Sequence, residues 1–324
     1  MLYNSLLTLN FTMPTLHEIQ KAHSRIKPFI HNTPVLTNSS LDDLSQAELY
    51  FKCENFQKAG SFKIRGASNA VLQLSKEDLN KGVTTASSGN HGAALSMAVT
   101  NLGGKTKVVM PDNTPNIKIR NVKRNGGQII WCEPNQISRD KTLRKVLEET
   151  GSVLIHPYND NNIICGQGTA SLELMEECPD LDIIVTPVSG GGLLGGTLCY
   201  AKEKNKKIQV YGAEPMEADD AYRSFLSGEI QSNETTNTIC DGLRAQIGTI
   251  TFPIIRDKVN GIIPISEDDI ISTMQMIWER MKIIVEPSCS IALAAVLNNK
   301  NIFSDKKVGL ILSGGNVDLN QLPW

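Results

Sequence analysis

The sequence predicts an α/β protein in which open, mostly parallel β-sheet is flanked by helices. Short β-type segments alternate with helical segments over most of the 324 residues, which is the order that such sheets require. Several β-type segments are nearly continuous apolar runs, as expected for strands buried on both faces of a parallel sheet. Ligands bind to these sheets where strands end and helices begin. Polar or glycine-rich motifs at those junctions therefore indicate the functional site.

Seven segments carry the strand pattern, and helical segments separate them. The strand segments are ELYFKCE (48–54), TKVVMP (106–111), QIIWCEP (128–134), SVLIHP (152–157), DIIVTPV (182–188), QVYGAE (209–214) and VGLILSG (308–314). Helical segments include HGAALSMAVTNLG, ASLELMEECPD and ISEDDIISTMQMIWERMK. The last of these begins with a favourable N-cap, Ser266, and Asp269 follows three residues later.

Composition and charge exclude several classes of function. There are 32 Lys and Arg residues against 34 Asp and Glu residues, so no basic surplus indicates nucleic acid or acidic lipid as a partner. No apolar run reaches the roughly 18–20 residues of a membrane span. The seven cysteines contain no CxxC pair and are typical of reduced thiols in a cytoplasmic protein. Residues 1–12 lack the cationic start of a signal peptide, and we expect them to form a disordered leader.

A glycine-rich segment, SGGGLLGG (189–196), follows one predicted strand and opens a helix. Glycines expose backbone N–H groups, and a helix N-terminus directs them at an anion, so the segment is a candidate phosphate site. The same residues match GxGxxG with Gly190, Gly192 and Gly195, and Glu214 lies about 20 residues on, as a dinucleotide site requires. A nicotinamide or flavin enzyme is therefore a competing interpretation, although several strands precede the motif.

Three further segments place reactive or polar residues at strand ends. NFQKAGSFKIRGA (55–67) sets Lys63 beside an aromatic residue and small residues, a setting that can desolvate a lysine and lower its pKa. TASSGNHGAA (85–94) crowds hydroxyl, amide and imidazole groups around a glycine. That is more than helix capping requires, and it indicates a small-anion site, for example for a carboxylate. LSGGNVDL (312–319) ends another strand in a serine and two glycines. Taken singly, a surface lysine, a helix cap and a tight turn would explain these segments.

Together, SFKIRGA, SSGNHG, SGGGLLGG and LSGGNVDL resemble, in this order and at these separations, the motifs of fold-type II pyridoxal-phosphate enzymes. From about residue 14 onward the chain is similar to the group of that family that contains serine racemases and serine/threonine ammonia-lyases. The resemblance implies a tryptophan synthase β-like fold with two open, twisted, mostly parallel sheets. It also implies a large cofactor-binding domain, 13–81 plus 160–324, and a small mobile domain, 82–159, in a homodimer.

By this resemblance, Lys63 forms the Schiff base with pyridoxal 5'-phosphate and then acts as a base at the substrate α-carbon. The other implied cofactor contacts are Phe62 and Gly242 beside the ring, Asn90 at the phenolic oxygen, Ser313 at the pyridine nitrogen, and Ser189, Gly190, Gly191, Gly192 and Leu193 around the phosphate. A neutral hydroxyl at the pyridine nitrogen makes the ring a weaker electron sink than a carboxylate would. That suits α-proton exchange and β-elimination.

The same motifs imply an amino-acid substrate. The implied substrate contacts are Ser87, Ser88, Asn90, His91 and, from the small domain, Arg139. Ser88 matches the second acid of serine racemases, which returns the α-proton on the face opposite the lysine. The predicted activity is interconversion of L- and D-serine, with elimination of serine to pyruvate and ammonia. The alternative is an ammonia-lyase for threonine, serine or 3-hydroxyaspartate without significant racemisation. Tyr158, which replaces an asparagine of the animal racemases, favours that alternative.

Two further sites are implied by the resemblance. EPMEADD (214–220) is similar to a segment in which Glu214, the Ala218 carbonyl and Asp220 hold Mg²⁺, Ca²⁺ or Mn²⁺, and all-oxygen ligation suits such hard cations. Ser39, Lys58 and Asn316 match positions that contact the activator ATP in animal serine racemases. Ala59, Ala93 and Asn125 depart from that pattern, so ATP activation stays an open alternative.

Overall fold

The computed structural model describes residues 12–87 and 89–324. Within these ranges, ten strands form one sheet of six strands and one of four, and fourteen α-helices surround them. The predicted class, an α/β protein with two mostly parallel sheets flanked by helices, is confirmed. Most of the predicted leader, and the predicted second acid Ser88, lie outside the described residues.

The strands and helices run along the chain as follows. The strands are β1 (Val35–Leu36), β2 (Glu48–Cys53), β3 (Val83–Ala86), β4 (Thr106–Pro111), β5 (Gly127–Cys132), β6 (Val153–Leu154), β7 (Ile183–Pro187), β8 (Gln209–Pro215), β9 (Gly261–Ile265) and β10 (Lys307–Leu312). The helices are α1 (Leu16–Ile26), α2 (Ser39–Ser45), α3 (Lys63–Val71), α4 (Lys76–Lys81), α5 (Asn90–Thr100), α6 (Asn116–Arg124), α7 (Gln136–Thr150), α8 (Asn161–Glu177), α9 (Gly192–Lys204), α10 (Asp220–Ser227), α11 (Thr251–Lys258), α12 (Glu267–Met281), α13 (Pro287–Asn298) and α14 (Lys300–Phe303). The predicted N-cap of α12 is confirmed, because the Ser266 hydroxyl accepts from Asp269 N at 3.2 Å.

The larger sheet has the strand order β1-β2-β10-β7-β8-β9. Every pair except β1–β2 is parallel. Strand β10 lies in the interior of the sheet, hydrogen-bonded to β2 on one side and to β7 on the other. Helices α12 and α13 cover one face of this sheet, and α1, α8 and α9 cover the other. Each face has its own hydrophobic cluster. Burial on both faces explains why these strands have continuous apolar sequences.

The smaller sheet has the order β5-β4-β3-β6, and all of its pairs are parallel. Helices α5 and α6 cover one face and α7 covers the other. A third hydrophobic cluster, which includes Ile64 of α3 and Leu95 of α5, joins the two sheet layers. The helix that begins at Lys63 therefore packs directly against the helix that begins at Asn90.

A buried ion cluster, Arg65 with Glu54, Glu173 and Lys52, fixes helix α3. The Arg65 guanidinium donates to both oxygens of Glu54 and of Glu173 at 2.6–2.8 Å and to one threonine hydroxyl at 3.1 Å. All five of its N–H groups are thus used. Lys52 Nζ lies 2.8 Å from Glu173 Oε2, so two positive charges balance two negative ones. Because Arg65 lies two residues after Lys63, the cluster sets the rotation of the helix that carries Lys63.

The strand predicted at 152–157 is shorter than expected, since β6 contains only two residues. The Ile155 N–H still donates to Thr84 O at 3.0 Å. Two residues later, Pro157 has no N–H with which to continue the ladder. The chain therefore leaves the sheet here, and it turns toward Lys63.

Strands β1 and β9 were not predicted from the sequence, and of β3 only the carboxyl end was expected, at the start of TASSGNHGAA (85–94). In β3, Thr84 and Thr85 are fully buried. This strand is therefore buried although its sequence is not a continuous apolar run. In β9, Pro264 contradicts the strand pattern, but β9 is an edge strand that pairs only with β8, and edge strands tolerate proline. Strand β1 is only two residues long.

The thiols are as the sequence predicted, since all seven cysteines are free. Burial raises the pKa of the Cys53 and Cys199 thiols to about 12, which makes both unreactive at neutral pH. Across residues 12–87 and 89–324, no helix combines the length and the apolar character that a membrane crossing needs.

Candidate active site

Lys63 lies at the carboxyl end of strand β10. The Phe62 N–H donates to Ser313 O at 3.0 Å, and Ser61 pairs with Gly314 in an antiparallel bridge. These contacts hold the segment before α3 against the turn that follows β10. Lys63 therefore begins a helix at the edge of the sheet where parallel sheets bind their ligands.

The Lys63 amine is held among apolar and backbone groups. Its Nζ donates to the Pro157 carbonyl at 3.2 Å and lies 5.0 Å from the centre of the Phe62 ring. Burial lowers the pKa of Lys63 from 10.5 to about 8, although the charge of Glu286 acts in the opposite direction. A lysine with this pKa is partly neutral near neutral pH, so it can act as a nucleophile or a base.

The glycine-rich segment forms a tight turn between β7 and α9. Gly191 has a φ of +88°, a backbone conformation that glycine adopts without strain. A Cβ atom on Gly190 would collide with the Tyr158 ring. The Ser189 hydroxyl donates to Ala245 O and accepts from Ala245 N, both at 3.0 Å. The turn is therefore fixed in shape and has no room for side chains at its glycines.

Helix α9 presents free donors to this turn. The N–H groups of Gly192 and Leu193 have no acceptor among the described residues, since the first backbone bond of the helix runs from Gly195 N to Gly191 O at 2.8 Å. Unpaired N–H groups at a helix N-terminus, together with the helix dipole, favour an anion such as phosphate. The residues of the turn therefore fit a phosphate group.

The loop 87–91 connects strand β3 to helix α5. The Ser87 hydroxyl accepts from Gly89 N at 3.3 Å and from Gly92 N at 3.1 Å, which orders the turn. His91 is buried, and neither ring nitrogen has a hydrogen-bond partner of good geometry among the described residues. Burial, with smaller effects of the Lys63 and His156 charges, lowers the pKa of His91 well below 6.5. The structure thus brings a neutral imidazole close to Lys63, as a substrate contact requires.

Asn90 lies at the centre of a hydrogen-bond network. Its amide Nδ2 donates to Glu286 Oε1 at 2.7 Å, and its Oδ1 accepts from Lys118 Nζ at 3.1 Å and from Asn316 Nδ2 at 3.0 Å. The contacts of the described residues use one of its two amide hydrogens. The second amide hydrogen has no acceptor among the described residues, and its bond to a phenolic oxygen stays a prediction.

Gly242 and Ser313 are linked through Ser288 at the start of α13. The Gly242 N–H donates to Ser288 Oγ at 3.0 Å, and Ser313 Oγ lies 3.5 Å from Ser288 O. Ser313 is 4% exposed. The structure therefore brings together the residues that were predicted on two sides of the cofactor ring.

Arg139 and His156 occupy the side of the site formed by the smaller sheet. Arg139, on α7, donates to Gln136 Oε1 at 2.6 Å, while its buried Nε has no partner among the described residues. Burial, assisted by the charges of Lys63 and Arg139, lowers the pKa of His156 to about 3. Arg139 thus lies on α7, which covers one face of the smaller sheet, and its contact with the substrate stays a prediction.

The family comparison agrees with this geometry. A model of the pyridoxal-phosphate dependent enzymes matches residues 26–314, a range that contains Lys63, the loop 87–91, the glycine-rich turn and Ser313. The chain belongs to this family. Because the chain belongs to this family, the GxGxxG match does not indicate a nicotinamide or flavin enzyme. The cofactor of this site is pyridoxal phosphate.

Individual relatives within the family are similar over nearly the whole chain. A serine racemase of Dictyostelium discoideum is 51% identical over 95% of this chain and 96% of its own length. A β-hydroxyaspartate dehydratase of Paracoccus denitrificans is 44% identical over 96% of this chain and 99% of its own. The structure of maize serine racemase superposes with a TM-score of 0.94 at 46% identity, covering 95% of both chains. These relatives include both isomerases and lyases.

The predicted metal ligands lie at the end of strand β8. Glu214 is in β8, Ala218 closes a 3₁₀ turn and Asp220 begins α10. Burial, with the charge of Asp220, raises the pKa of Glu214 well above 4.5, and burial raises the pKa of Asp220 to about 6. Among the described residues, no three His, Cys, Asp or Glu side chains are arranged for a metal ion. The two carboxylates therefore fit a hard cation only with a carbonyl such as that of Ala218.

The positions predicted to contact ATP lie on three segments. Ser39 begins α2 and is exposed, Lys58 begins a 3₁₀ turn, and Asn316 follows β10. Asn316 Nδ2 also donates to the carbonyl of Ala59 at 2.9 Å, which places Asn316 beside the turn that contains Lys58. In the described part of the chain, no hydrogen bond joins Ser39 to either of the other two.

Three residues of the site were not predicted from the sequence: Glu286, Lys118 and His156. Glu286 is 2% exposed and precedes α13. A glutamate next to a proline at a helix start was a signal that could have been used, because such a pair marks a junction. Lys118 sits inside a helix rich in basic residues, KIRNVKR, and no sequence feature separates it from its exposed neighbours.

Proposed function

We propose that this chain interconverts L- and D-serine and also eliminates water from serine to give pyruvate and ammonia. The observation that carries the proposal is the position of Lys63, whose pKa is lowered to about 8, beside the loop 87–91 of the smaller sheet. The proposal is supported by relatives named serine racemase, of which one is 51% identical over 95% of the chain.

Bound pyridoxal phosphate would supply an electron sink that makes the substrate α-proton acidic. Lys63 would hold the cofactor, and the Ser189–Leu193 turn would bind its phosphate through N–H groups. Phe62 and Gly242 would border the ring, Asn90 would donate to the phenolic oxygen, and Ser313 would meet the pyridine nitrogen. Once released by the substrate amine, the Lys63 amine takes the α-proton on its own face.

Ser88 would serve the opposite face of the substrate. Racemisation requires that one group remove the α-proton and another return a proton from the other side. In the sequence, Ser88 directly precedes Gly89 and Asn90, and the proposal is supported by the packing of α5, which begins at Asn90, on α3, which begins at Lys63. Its hydroxyl is a weak acid, so it acts only where substrate and loop are held in contact.

The substrate carboxylate would bind to Ser87, Asn90, His91 and Arg139. Ser87 and the N-terminus of α5 supply neutral donors, and Arg139 supplies the one positive charge proposed for this side of the site. Its buried, unpartnered Nε is consistent with a ligand that completes its hydrogen bonding.

Elimination shares its first step with racemisation. If the β-hydroxyl leaves as water before the α-carbon is reprotonated, 2-aminoacrylate is released; it tautomerises to an imine, which water hydrolyses to pyruvate and ammonia. A second candidate, an ammonia-lyase acting on a β-hydroxy amino acid without racemisation, is favoured by the 44% identity to a β-hydroxyaspartate dehydratase. With serine as the substrate, the two candidates differ in whether D-serine forms; the second candidate also admits threonine or 3-hydroxyaspartate as its substrate.

Replacing Ser88 tests the proposal. We expect the wild-type holoenzyme to form both D-serine and pyruvate from L-serine, and Ser88→Ala to lose D-serine formation by about 100-fold or more while it still forms pyruvate. Chiral chromatography and a pyruvate assay on the same sample measure both products.

Ser272→Ala is the matched control, because Ser272 is an exposed serine on α12, and it is expected to leave both products unchanged. Pyruvate without D-serine in the wild type would contradict racemisation and support the ammonia-lyase.

We propose that the chain moves as two domains, with residues 82–159 closing on 13–81 plus 160–324. All four strands of the smaller sheet fall within 82–159, and all six of the larger sheet fall outside it. Closure would exclude water from the proton transfers.

We also propose a Mg²⁺ ion at Glu214, Asp220 and the Ala218 carbonyl, because a divalent cation would relieve the repulsion between two buried acids. ATP at Ser39, Lys58 and Asn316 is proposed as a regulator. A titration of serine turnover with ATP tests that idea: a rise in turnover would support it, and no change would contradict it.

A homodimer is proposed from an exposed apolar surface. Phe56 is 43% and Ile284 is 47% exposed, and the Asn55–Ile284 hydrogen bond holds the two segments together. Trp324 packs on Trp278 close by. Light scattering during gel filtration would show one copy or two. The seven free thiols suit the cytoplasm, which we propose as its compartment.

A further inference from the structure

Lys118 is a buried lysine that serves no cofactor or substrate contact proposed above. It lies on α6, beside the smaller sheet, and is 2% exposed. Its Nζ reaches three acceptors: Glu286 Oε2 at 2.9 Å, Asn90 Oδ1 at 3.1 Å and Asp241 Oδ2 at 3.4 Å. The three N–H groups of the ammonium are thus matched by three oxygens.

These acceptors belong to both sheet layers. Asn90 begins α5, beside the smaller sheet, whereas Glu286 precedes α13 of the larger layer and Asp241 begins the turn that contains Gly242. Glu286 is as deeply buried as Lys118. The lysine therefore forms an ionic connection between the layers next to residues proposed to contact the cofactor.

The stem of Lys118 also supports the loop 87–91. A Cβ atom on Gly89 would lie 3.4 Å from Lys118 Cδ and 3.7 Å from Cε, so the lysine chain runs close along the backbone of Gly89. The same side chain thus lies beside Gly89 along its stem and donates to Asn90 through its ammonium. Gly89 and Asn90 directly follow Ser88 in the chain.

We propose that Lys118 is a positioning residue that clamps Gly89 and Asn90 to Glu286 and Asp241, and thereby supports the proton return proposed for Ser88, the residue that precedes them in the chain. The expected effect of Lys118 on the products rests on the proposed function. Racemisation needs Ser88 in place, whereas elimination can follow from proton removal by Lys63 alone. A loosened loop therefore lowers the yield of D-serine more than that of pyruvate.

The test compares three variants of the holoenzyme. Lys118→Met keeps the stem and removes the charge, Lys118→Arg keeps the charge, and Lys123→Met is the matched control, since Lys123 is an exposed lysine on the same helix. We expect the ratio of D-serine to pyruvate to fall about tenfold or more in Lys118→Met, to recover in part in Lys118→Arg, and to stay unchanged in Lys123→Met.

Backbone amide exchange, followed by mass spectrometry, supplies a second readout that does not depend on turnover. The N–H groups of Gly89 and Gly92 donate to Ser87, so a loosened loop should exchange faster in Lys118→Met than in the wild type, and Lys123→Met should match the wild type. If Lys118→Met leaves both exchange and product ratio unchanged, the inference is wrong. If none of the proteins forms D-serine, the proposed racemisation is wrong, and the exchange rates still decide the role of Lys118.

Discussion

Two buried lysines show how neighbouring residues decide the chemistry of one functional group. Lys63 has few charged neighbours, and burial lowers its pKa to about 8. Burial acts on Lys118 in the same direction, but the charges of Glu286 and Asp241 outweigh it and raise the pKa of Lys118 above its usual value of 10.5. Lys63 can therefore give up a proton near neutral pH, whereas Lys118 remains a fixed cation.

The reactivity of Lys63 should follow its lowered pKa. In cofactor-free protein, only the neutral amine reacts with an acylating reagent, so we expect the rate of Lys63 acylation to rise with pH and level off above a midpoint near 8. Peptide mass spectrometry measures the rate at each pH. Lys123, which is exposed, serves as the internal control for the activity of the reagent at each pH. A rate of Lys63 acylation that does not level off near pH 8 would contradict the lowered pKa.

Loss of Arg139 should weaken substrate binding. Arg139→Ala removes the positive charge proposed to meet the substrate carboxylate, and a hydrogen bond to a charged group contributes about 1.5–3 kcal/mol. We therefore expect the KM for serine to rise about 10- to 100-fold, as steady-state kinetics would show. Arg144→Ala, at a position one and a half turns further along α7 and exposed, should leave KM unchanged. An unchanged KM in Arg139→Ala would exclude a role in carboxylate binding.

The sequence could predict site residues that lie inside motifs, but not those that reach the site by folding. Lys63 and the loop 87–91 stand in recognisable segments, and the structure places them together. Glu286 and Lys118 contact each other across 168 residues of sequence. A long-range ion pair has no local pattern, since each partner alone has the composition of a solvated charge.

At the scale of elements, the position of helix α3 depends on buried ion pairs as well as on apolar packing. Burial alone would raise the pKa of Glu173. Hydrogen bonds from His23 and Arg65 nevertheless lower this pKa below its usual range. Such a carboxylate stabilises the fold above its unfolded pKa of about 4.5. This stabilisation is progressively lost as the pH falls below that value.

Removing one member of the Arg65 cluster should destabilise the whole protein. Arg65→Met leaves Glu54 and Glu173 buried without the guanidinium, although Lys52 and His23 still lie beside Glu173. Breaking a buried pair in this way costs about 3–5 kcal/mol. Chemical denaturation measures the loss. The surface pair Lys81–Glu77, 2.7 Å apart with both side chains exposed, is the control, since Glu77→Gln should cost less than about 1 kcal/mol. Equal effects of the two substitutions would contradict the importance of the cluster.

The elements themselves were predictable where apolar residues are continuous. Strands β2, β4, β7 and β10 lie within two residues of their expected bounds, because burial on both faces leaves an apolar signal. Strand β3 gave no such signal, since its two threonines are buried in a layer that tolerates their hydroxyls. Strand β9 was not predicted because it contains Pro264. The strand tolerates this proline because it lies at the edge of the sheet.

At the scale of the whole molecule, the candidate metal site stabilises the fold only if it is filled. Two buried acids with raised pKa values oppose folding at neutral pH, and a bound divalent cation would remove that penalty. We expect chelation with EDTA to lower the Tm of the holoenzyme and added Mg²⁺ to restore it. A cation present at about 100 times its Kd adds about 2.7 kcal/mol. The Asp220→Asn variant should bind Mg²⁺ more weakly, and its Tm should respond less to chelation. A wild-type Tm that is insensitive to EDTA would contradict a bound cation.

The interior position of β10 affects how the chain is synthesised. The four strands of the smaller sheet come from residues 83–154 and can pair as soon as they leave the ribosome, whereas β2 and β7 must wait for residues 307–312 to fill the gap between them. From the end of β7 to the end of β10 the chain has 312 − 187 = 125 residues, so at roughly 5–20 residues per second the wait of β7 lasts about 6–25 s. During this time, β2 and β7 present unpaired apolar edges to the solvent. We therefore expect the nascent chain to bind a chaperone that covers exposed strand edges. We also expect pyridoxal phosphate to bind only when translation is nearly complete.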